Sequence, residues 1–304
     1  MATQERDLSG NMNANIIIQK QEQDISATMN ANIIEKREQD LSAAMNAKII
    51  GSGSQAMVLA HGYGTDQSIW DKITPVLAQT YKVIVFDWPF SGAVLKDPKL
   101  YDTAKYSSYD GFADHLIAFL DKNDLKSTVF VGHSMSGMIG CIASVKRPEL
   151  FKRLIPIGAS PRYINTDDYE GGFKVSDIDQ IITNIETNYF NWCSFFASLI
   201  VDTKDPASTE KFEKLLKKMN PEVALPLAKT VFYSDHRETL EKVTTPCTIV
   251  QASNDVVIPN SVAYYMQEKI KGTTTVEMIE CDGHFPQLNA HLQVLDVIKK
   301  VVGV

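Results

Sequence analysis

The chain has 304 residues, 44% of them hydrophobic, and a formal net charge of −7 at pH 7. This length suits one large α/β domain or two small ones, and the hydrophobic fraction is enough for a sizeable core. The acidic balance and the lack of a basic tract argue against nucleic acid as a partner. No apolar run approaches the ~20 residues that span a bilayer, and the first 20 residues show no secretory signal pattern. We therefore expect an intracellular protein with no membrane partner.

The cysteines and histidines form neither a disulfide framework nor a metal-binding pattern. The four cysteines, at positions 141, 193, 247 and 281, are scattered and mostly embedded in apolar sequence, which favours reduced, buried packing residues. His, Cys and acidic residues do not recur at ligand spacing. The sequence thus predicts no metal and no other cofactor, and a monomer is expected because no heptads are evident.

The first 45 residues contain three imperfect copies of one segment, marked by Asp7, Asp24 and Asp40. These copies are shorter than the units of solenoid proteins, so a repeat fold is not expected. We predict that residues 1–45 are a weakly ordered extension and that residues 46–304 form the folded domain.

Beyond the extension, strand-like and helix-like segments alternate. Strand-like runs occur at residues 47–53, 57–60, 82–86, 128–131, 154–157, 248–251 and 274–279, and helix-like stretches include 111–120, 262–271 and 292–302. Such alternation predicts an α/β fold with a mostly parallel central sheet covered by helices on both faces. Ligands of such sheets bind beyond the carboxyl ends of the strands.

The alternation breaks between about residues 161 and 233, where no strand-like run appears. Helix start signals follow one another there: Ser176 with Asp179 resembles a capping box, and Asp205 and Asn220 each precede a proline. The segment is therefore predicted to be an all-helical lid. It is rich in aromatic residues, and a small lid has too little interior to hide every ring. Some rings should line a deep apolar pocket beneath the lid.

A serine is predicted at the apex of a sharp turn between a strand and a helix. Ser134 lies in the sequence Gly-His-Ser-Met-Ser, between the run 128–131 and the apolar stretch 138–145. Asp255 and His284 follow two later strands, which gives the chain order Ser, Asp, His of an α/β-hydrolase. In that arrangement Ser134 attacks, His284 takes its proton, and Asp255 fixes the imidazole tautomer and stabilises the imidazolium.

A glycine-flanked loop upstream supplies the fourth element of this chemistry. His61-Gly62-Tyr63-Gly64 follows the strand at residues 57–60, and the backbone N–H groups of Tyr63 and Met135 would form the oxyanion hole. Each of the three triad residues taken alone is more often an ordinary loop residue. Their order, together with the glycine loop, favours catalysis.

Several of these segments carry a family resemblance. They are His61 to Ser68, Val131 to Ser136, Ser160 to Tyr163, Asp168 to Phe173 and Gly283 to Leu288. Through them, the chain from residue 46 onward resembles the plant α/β-hydrolases that act as strigolactone and karrikin receptors. The run from Asp87 to Val94 is similar to that of the less characterised third branch of the family, paralogous to the receptors, and Tyr63 stands where phenylalanine is usual.

The resemblance implies a rigid core with a V-shaped lid of four helices, and slow hydrolysis of butenolide-type lactones or enol ethers. It also implies that ligand binding lets the lid region engage an F-box protein and a repressor. The pocket positions it implies are Tyr63, Tyr163, Phe173, Trp192, Phe196 and Phe232.

Two functions remain open at this point. One is a receptor-like hydrolase of a small hydrophobic ligand, for which the ligand-bound shape is the output. The other is a metabolic carboxylesterase with the same triad and no signalling partner. An aspartate nucleophile is excluded because Ser134 occupies the apex. Turnover distinguishes the two hypotheses, since a metabolic esterase should work near the enzyme median of ~10 per second.

Overall fold

The computed structural model describes residues 42–96, 98–202 and 204–303. The chain divides into two units, of which the second, from Met45 onward, carries the sheet and the helices given below. The three N-terminal copies fall almost entirely outside the described residues, so the weakly ordered extension stays a prediction.

The second unit is built on a seven-stranded sheet. In chain order its strands are β1 Lys48–Ile50, β2 Ala56–Ala60, β3 Lys82–Val85, β4 Thr128–His133, β5 Phe151–Ile157, β6 Cys247–Asn254 and β7 Thr274–Asp282. Their order across the sheet is β1-β3-β2-β4-β5-β6-β7. β1 pairs antiparallel with β3, and the other neighbours are parallel. The predicted mostly parallel α/β-hydrolase sheet is confirmed.

The helices lie between these strands in the sequence, and the last two follow β7. In chain order they are α1 Thr74–Leu77, α2 Tyr109–Lys122, α3 Met135–Lys146, α4 Val175–Ile200, α5 Pro206–Lys218, α6 Pro221–Phe232, α7 Arg237–Leu240, α8 Asn260–Lys269, α9 Pro286–Asn289 and α10 His291–Val302. In the described part of the chain, none of them is both long and apolar enough to cross a membrane.

The centre of the core is the contact between β4 and α3. All six residues of β4 are buried, and α3 is buried from Met135 to Ser144, as expected for a helix that is apolar on every face. A Cβ on Gly140 would lie 2.5 Å from Cε1 of Phe130. Glycine therefore lets the helix backbone lie directly on the strand, and this close contact fixes where the turn between them stands.

The first strand is shorter than predicted, ending at Ile50 rather than continuing to residue 53. Gly51 has φ +82°, and a Cβ on Gly53 would lie 2.0 Å from the carbonyl oxygen of Thr80. Both glycines therefore belong to a tight connection pressed against the chain after α1, which cannot continue the strand.

The helices between β5 and β6 begin close to the predicted places, with one correction. Asp205 accepts from the N–H of Ser208 at 3.0 Å, and Asn220 accepts from that of Glu222 at 2.9 Å, as N-caps do. The capping box predicted for Ser176 and Asp179 is wrong.

The carboxylate that caps α4 is Asp177, which accepts from the N–H of Lys174 at 2.9 Å. The chain is still extended at Lys174 because the N–H of Phe173 is bound to the carbonyl of Tyr163 at 3.1 Å. Asp179 lies two residues further along α4, where its carboxylate accepts from the Tyr233 hydroxyl at 2.6 Å.

The helix α4 is broken at Asn188, which has φ −151° and ψ 51°. With α5 and α6, the two halves of α4 make four helical segments in the described part of the insertion. This is the number that the resemblance implies.

Candidate active site

Ser134 is held in a strained conformation between β4 and α3. Its φ of 55° and ψ of −124° lie in a region that non-glycine residues rarely adopt. Its N–H donates to the carbonyl of Ile157 at 2.8 Å, and its own carbonyl accepts from the N–H of Gly137 at 2.9 Å. Small neighbours make the turn possible, since a Cβ on Gly132 would lie 2.6 Å from the backbone of Ser136. The turn therefore presents the serine hydroxyl away from its own backbone.

The structure brings Ser134, Asp255 and His284 together. The Nδ1 atom of His284 lies 2.7 Å from Oδ2 of Asp255, and its Nε2 atom lies 3.0 Å from Oγ of Ser134. All three side chains are buried. With Nδ1–H donating to the carboxylate, Nε2 is free to accept the serine proton, as a general base must.

Asp255 is itself fixed by backbone and side-chain donors. Its Oδ1 atom accepts from the N–H of Val257 at 2.8 Å and of Ile258 at 3.2 Å. Its Oδ2 atom, already bound to His284, also accepts from Nε2 of Gln251 at 3.3 Å. The carboxylate can therefore rotate little, which holds the imidazole in one tautomer.

The backbone of His284 is bound on two sides. Its N–H donates to the carbonyl of Ile200, the last residue of α4, at 2.7 Å. Its carbonyl accepts from Nε2 of His133 at 2.9 Å. The loop that carries the base is thus attached both to the lid and to the strand that carries the nucleophile.

The glycine loop after β2 lies against the serine. A Cβ on Gly62 would be 3.1 Å from Cβ of Ser134, so the next N–H, that of Tyr63, is placed beside the nucleophile. Met135 is the first residue of α3, where N–H groups have no partner within the helix and the helix dipole favours negative charge. Both predicted oxyanion donors are therefore close to Ser134.

A polar network holds this loop and accounts for the serine at the end of the elbow. The hydroxyl of Ser136 donates to the carbonyl of His61 and accepts from Nε1–H of Trp88 at 2.9 Å. The N–H of Trp88 donates to Nε2 of His61 at 3.0 Å. Trp88 belongs to the run from Asp87 to Val94, which is similar to that of the third branch. This run therefore helps to hold the glycine loop that carries the N–H of Tyr63.

A small, mostly apolar cavity lies above Ser134 and His284. Four of the six predicted pocket residues line it: Tyr63, Tyr163, Phe196 and Phe232. Phe173 and Trp192 do not. The Phe173 ring lies 6.3 Å from that of Phe232, and the Trp192 ring stacks at 4.8 Å on that of Phe196, so both support lining rings from outside.

The sequence reasoning missed the other lining residues, which are His133, Ile200, Phe212, Val231, Val257 and Phe285. Phe285 could have been found because it directly follows His284. The lid residues could not, because which face of a lid helix meets the core depends on how the helices pack.

The cavity is much smaller than the deep pocket that the sequence predicted. Its volume is about 30 Å³, whereas ligand pockets usually hold about 300–1,000 Å³. Aromatic rings of the lid and of the core fill the space: the ring of Phe212 in the lid lies 4.6 Å, between ring centroids, from that of Phe285, which follows His284. A ligand that needs a pocket of the usual size can therefore bind only if lining side chains, several of them on the lid, move.

The Tyr63 hydroxyl connects the core to the lid. It donates to the carbonyl of Ala224 in α6 at 3.2 Å, and burial raises its pKa well above 10, so it stays a neutral donor. This hydroxyl is what the chain adds where phenylalanine is usual in the family that it resembles.

Replacing Tyr63 by phenylalanine should lower the free energy of unfolding by about 1 kcal/mol, the usual net contribution of one hydrogen bond. Because lining side chains of the lid must move to admit a ligand of the usual size, association should become faster, by about two- to tenfold. Tyr189→Phe is the matched control, since its hydroxyl donates to Leu216 within the lid at 2.6 Å. Stopped-flow ligand binding checks this, and equal effects of the two variants would contradict a core-to-lid role.

The buried histidines make stability depend on pH. Burial lowers the pKa of His61 and of His133, and lowers that of His115 to about 4. In the unfolded chain these groups titrate near pH 6.5 and take up protons that the folded protein does not. The free energy of unfolding should therefore fall as pH drops from about 6.5 towards 4, by up to about 1.4 kcal/mol per pH unit for each histidine.

Urea denaturation at several pH values measures this slope. A His115→Gln variant should show a shallower slope than the wild type, because one of the titrating groups is gone. The same slope in both proteins would show that His115 does not contribute.

Comparisons with known proteins agree with this geometry. A family model for the alpha/beta hydrolase fold matches residues 55–290. The karrikin insensitive 2 receptor CA of Petunia hybrida is 42% identical over 249 residues, which are 82% of this chain and 92% of that receptor. A strigolactone esterase of Arabidopsis thaliana is 40% identical over 252 residues, covering 83% of this chain and 94% of the esterase.

A solved structure gives the same result for the fold. A hydrolase from Oleispira antarctica superposes with a TM-score of 0.83 at 30% identity, over 87% of this chain and 97% of that protein. The two plant relatives are 42% and 40% identical to this chain over more than nine tenths of their own length. The chain therefore belongs to the plant α/β-hydrolase family of strigolactone and karrikin receptors, and it is a serine hydrolase.

Proposed function

We propose that this protein is a receptor-like hydrolase that slowly cleaves a small hydrophobic lactone or enol ether of the butenolide type. The observation that carries the proposal is a fully assembled Ser-His-Asp array beneath a closed aromatic lid, with about 30 Å³ of free space. A ligand of that size requires lining side chains, several of them on the lid, to move, so binding is coupled to a change of shape. The names of the two plant relatives, a karrikin receptor and a strigolactone esterase, support this choice.

In the proposed reaction Ser134 Oγ bonds to the carbonyl carbon of the ligand while its proton passes to Nε2 of His284. The carbonyl oxygen becomes an oxyanion, which the N–H groups of Tyr63 and Met135 stabilise. The bond to the leaving oxygen then breaks, and His284 returns the proton to that oxygen. Water, activated by the same imidazole, hydrolyses the acyl group on Ser134, and Asp255 holds the tautomer throughout.

We further propose that the lid region binds signalling proteins, an F-box protein and a repressor, in the cytoplasm and nucleus, with the protein itself a monomer. Support comes from the surface of α4, where Phe190, Phe195 and Leu199 are 56%, 63% and 52% exposed. Phe195 and Leu199 are four residues apart and so share one face of the helix, and exposed large apolar side chains on one face are typical of protein-binding surfaces. They lie on α4, and the carbonyl of Ile200 at the end of this helix accepts from the N–H of His284.

A metabolic carboxylesterase is the second candidate. The triad distances favour it, because an array already assembled without ligand needs no partner to become active. Under this hypothesis the small cavity limits the enzyme to small acyl groups, and no signalling protein binds the lid.

The two candidates differ in turnover and in the response of the lid. We would compare a fluorogenic butenolide probe with a simple aryl acetate, and measure the melting temperature with and without each. The receptor-like function predicts butenolide cleavage far below the enzyme median of ~10 per second, with a shift in melting temperature that also occurs in Ser134→Ala. Fast cleavage of the acetate with no reaction of the butenolide would support the esterase instead.

A further inference from the structure

His133, the last residue of β4, is a buried imidazole that takes no part in the reaction proposed above. It directly precedes Ser134, is 1% exposed, and lines the cavity. In the described part of the chain its side chain makes one hydrogen bond, which joins Nε2 to the backbone carbonyl oxygen of His284 at 2.9 Å. Its partner is therefore the residue that supplies the catalytic base.

This hydrogen bond fixes where the proton of the imidazole lies. A carbonyl oxygen can only accept, so Nε2 of His133 carries the proton and donates it. Nδ1 is then the bare nitrogen, and it has no hydrogen-bond partner among the described residues. It faces the glycine loop after β2, since a Cβ on Gly62 would lie 3.0 Å from it. The ring thus lies between that loop and the loop of His284, with its single donor directed at His284.

Burial and the neighbouring histidines keep His133 neutral. Burial lowers its pKa well below 6.5, and His284 and His61 also act to lower it. The rings of His133 and His284 lie 4.9 Å apart, between centroids. During the reaction His284 becomes an imidazolium, and a second positive charge at this distance would oppose that step. A neutral donor is therefore what this position requires.

The backbone of His284 has a second attachment, which comes from the lid. Its N–H donates to the carbonyl of Ile200 at 2.7 Å. Ile200 ends a lid helix and lines the cavity, where side chains must move to admit a ligand of the usual size. The bond from His133 comes instead from the central sheet, in a strand whose six residues are all buried. Of the two attachments, it is the one that can hold the base while the lid moves.

We propose that His133 is a positioning residue: its Nε2–H holds the backbone of His284 in place while a ligand is bound. The imidazole then keeps its distances of 3.0 Å to Ser134 and 2.7 Å to Asp255. His133 acts only through His284 and transfers no proton. A misplacement of about 1 Å can lower a rate about 100-fold, so this bond affects the rate. The inference rests on the proposed hydrolysis by Ser134 and His284, whichever ligand is cleaved.

The test compares two amides and an alkyl group at position 133. The amide nitrogen of glutamine reaches as far as Nε2 of histidine and can donate to the carbonyl of His284, asparagine is one methylene shorter, and leucine has no donor. With p-nitrophenyl acetate, His133→Leu and His133→Asn should lower kcat about 10- to 100-fold at nearly unchanged KM. His133→Gln should stay within about threefold of the wild type. A raised KM with kcat unchanged would assign His133 to ligand binding and overturn the proposal.

His115→Leu is the matched control for stability. His115 is also a buried imidazole, its Nδ1 atom lies 2.6 Å from the Tyr106 hydroxyl, and it does not line the cavity. Its replacement should lower the melting temperature, as His133→Leu should, but leave kcat unchanged. Equal effects of the two leucine variants on kcat would show that His133 contributes to stability alone, and would overturn the proposal.

A proton NMR signal separates positioning from a general loss of structure. The Nδ1–H of His284, bound to Asp255 at 2.7 Å, should give a downfield signal in the wild type that disappears in Asp255→Asn. Well below the melting temperatures, the signal should stay sharp in His133→Gln and broaden or vanish in His133→Leu. A signal as sharp in His133→Leu as in the wild type would contradict a positioning role.

Labelling of Ser134 by a fluorophosphonate distinguishes failure of this inference from failure of the proposed function. Wild-type protein that is labelled at Ser134 but does not cleave a butenolide removes only the butenolide assignment, and the variants are then ranked by their labelling rates. Wild-type protein that is not labelled at Ser134 overturns the inference together with the hydrolytic mechanism.

Discussion

Replacing Ser134 by alanine is expected to lower kcat for ester or butenolide cleavage by ~10⁴-fold or more, the usual cost of losing a triad nucleophile. The physical reason is that His284 Nε2 lies 3.0 Å from the serine oxygen and has no other hydrogen-bond partner within residues 42–96, 98–202 and 204–303. The fold should survive, because the substitution removes a single oxygen atom and leaves the backbone of the turn in place. Single-turnover kinetics and circular dichroism on the same preparation measure both.

Ser144→Ala is the matched control for this experiment. Ser144 lies on the same helix, α3, is also buried, and donates to the carbonyl of Cys141 at 2.8 Å. It should lose some stability and keep its activity. Hydrolysis by Ser134→Ala within a hundredfold of the wild type would exclude Ser134 as the nucleophile.

Asp255→Asn is expected to reduce kcat by ~10⁴-fold. An amide at this position presents an N–H donor or a weaker acceptor to Nδ1 of His284, now 2.7 Å from the carboxylate. The imidazole is then held in the tautomer whose Nε2 carries a proton, and it cannot take the proton of Ser134. The affinity for a ligand should change little, because Asp255 does not line the cavity.

The control for this change is Asp282→Asn, at the end of β7. Asp282 is paired with Lys204 at 2.9 Å on the surface, and surface pairs contribute little. Activity of Asp255→Asn equal to that of Asp282→Asn would show that the carboxylate does not orient the base.

The fold and the triad could be predicted because both follow from local patterns. Strands of parallel sheets are continuous apolar runs, and residues just after them must meet at one edge. Ser134, Asp255 and His284 each come within a few residues after such a run, so their chain positions were enough to bring them together.

The predictions that were wrong concern features that depend on packing between distant segments of the chain. The cap of α4 is Asp177 rather than Asp179, because the helix begins after Lys174, directly beyond the strand-like contact of Phe173 with Tyr163, and not after Ser176. The cavity is small because the rings of Phe212 and Phe285, far apart in sequence, meet above the site. Neither the hydrophobic periodicity of the sequence nor any motif in it predicts these two contacts.

The role of Ser136 could be predicted only in part from the sequence. The resemblance accounted for a serine at this place in the elbow, and the structure adds the reason, since its hydroxyl joins the carbonyl of His61 to the indole of Trp88. Glycine could make neither bond. The small residue that the turn does require is Gly137, where a Cβ would lie 2.5 Å from Cβ of Ala159.

The measurement that tests the central claim most directly is a time course with a fluorogenic butenolide, wild type beside Ser134→Ala, with intact-mass analysis of the protein at each point. We expect slow release of the fluorophore by the wild type alone, together with a butenolide-sized mass increase that peptide mapping places on Ser134 or His284. Equal release by both proteins, or no release and no mass change in the wild type, would contradict the proposed receptor-like hydrolysis.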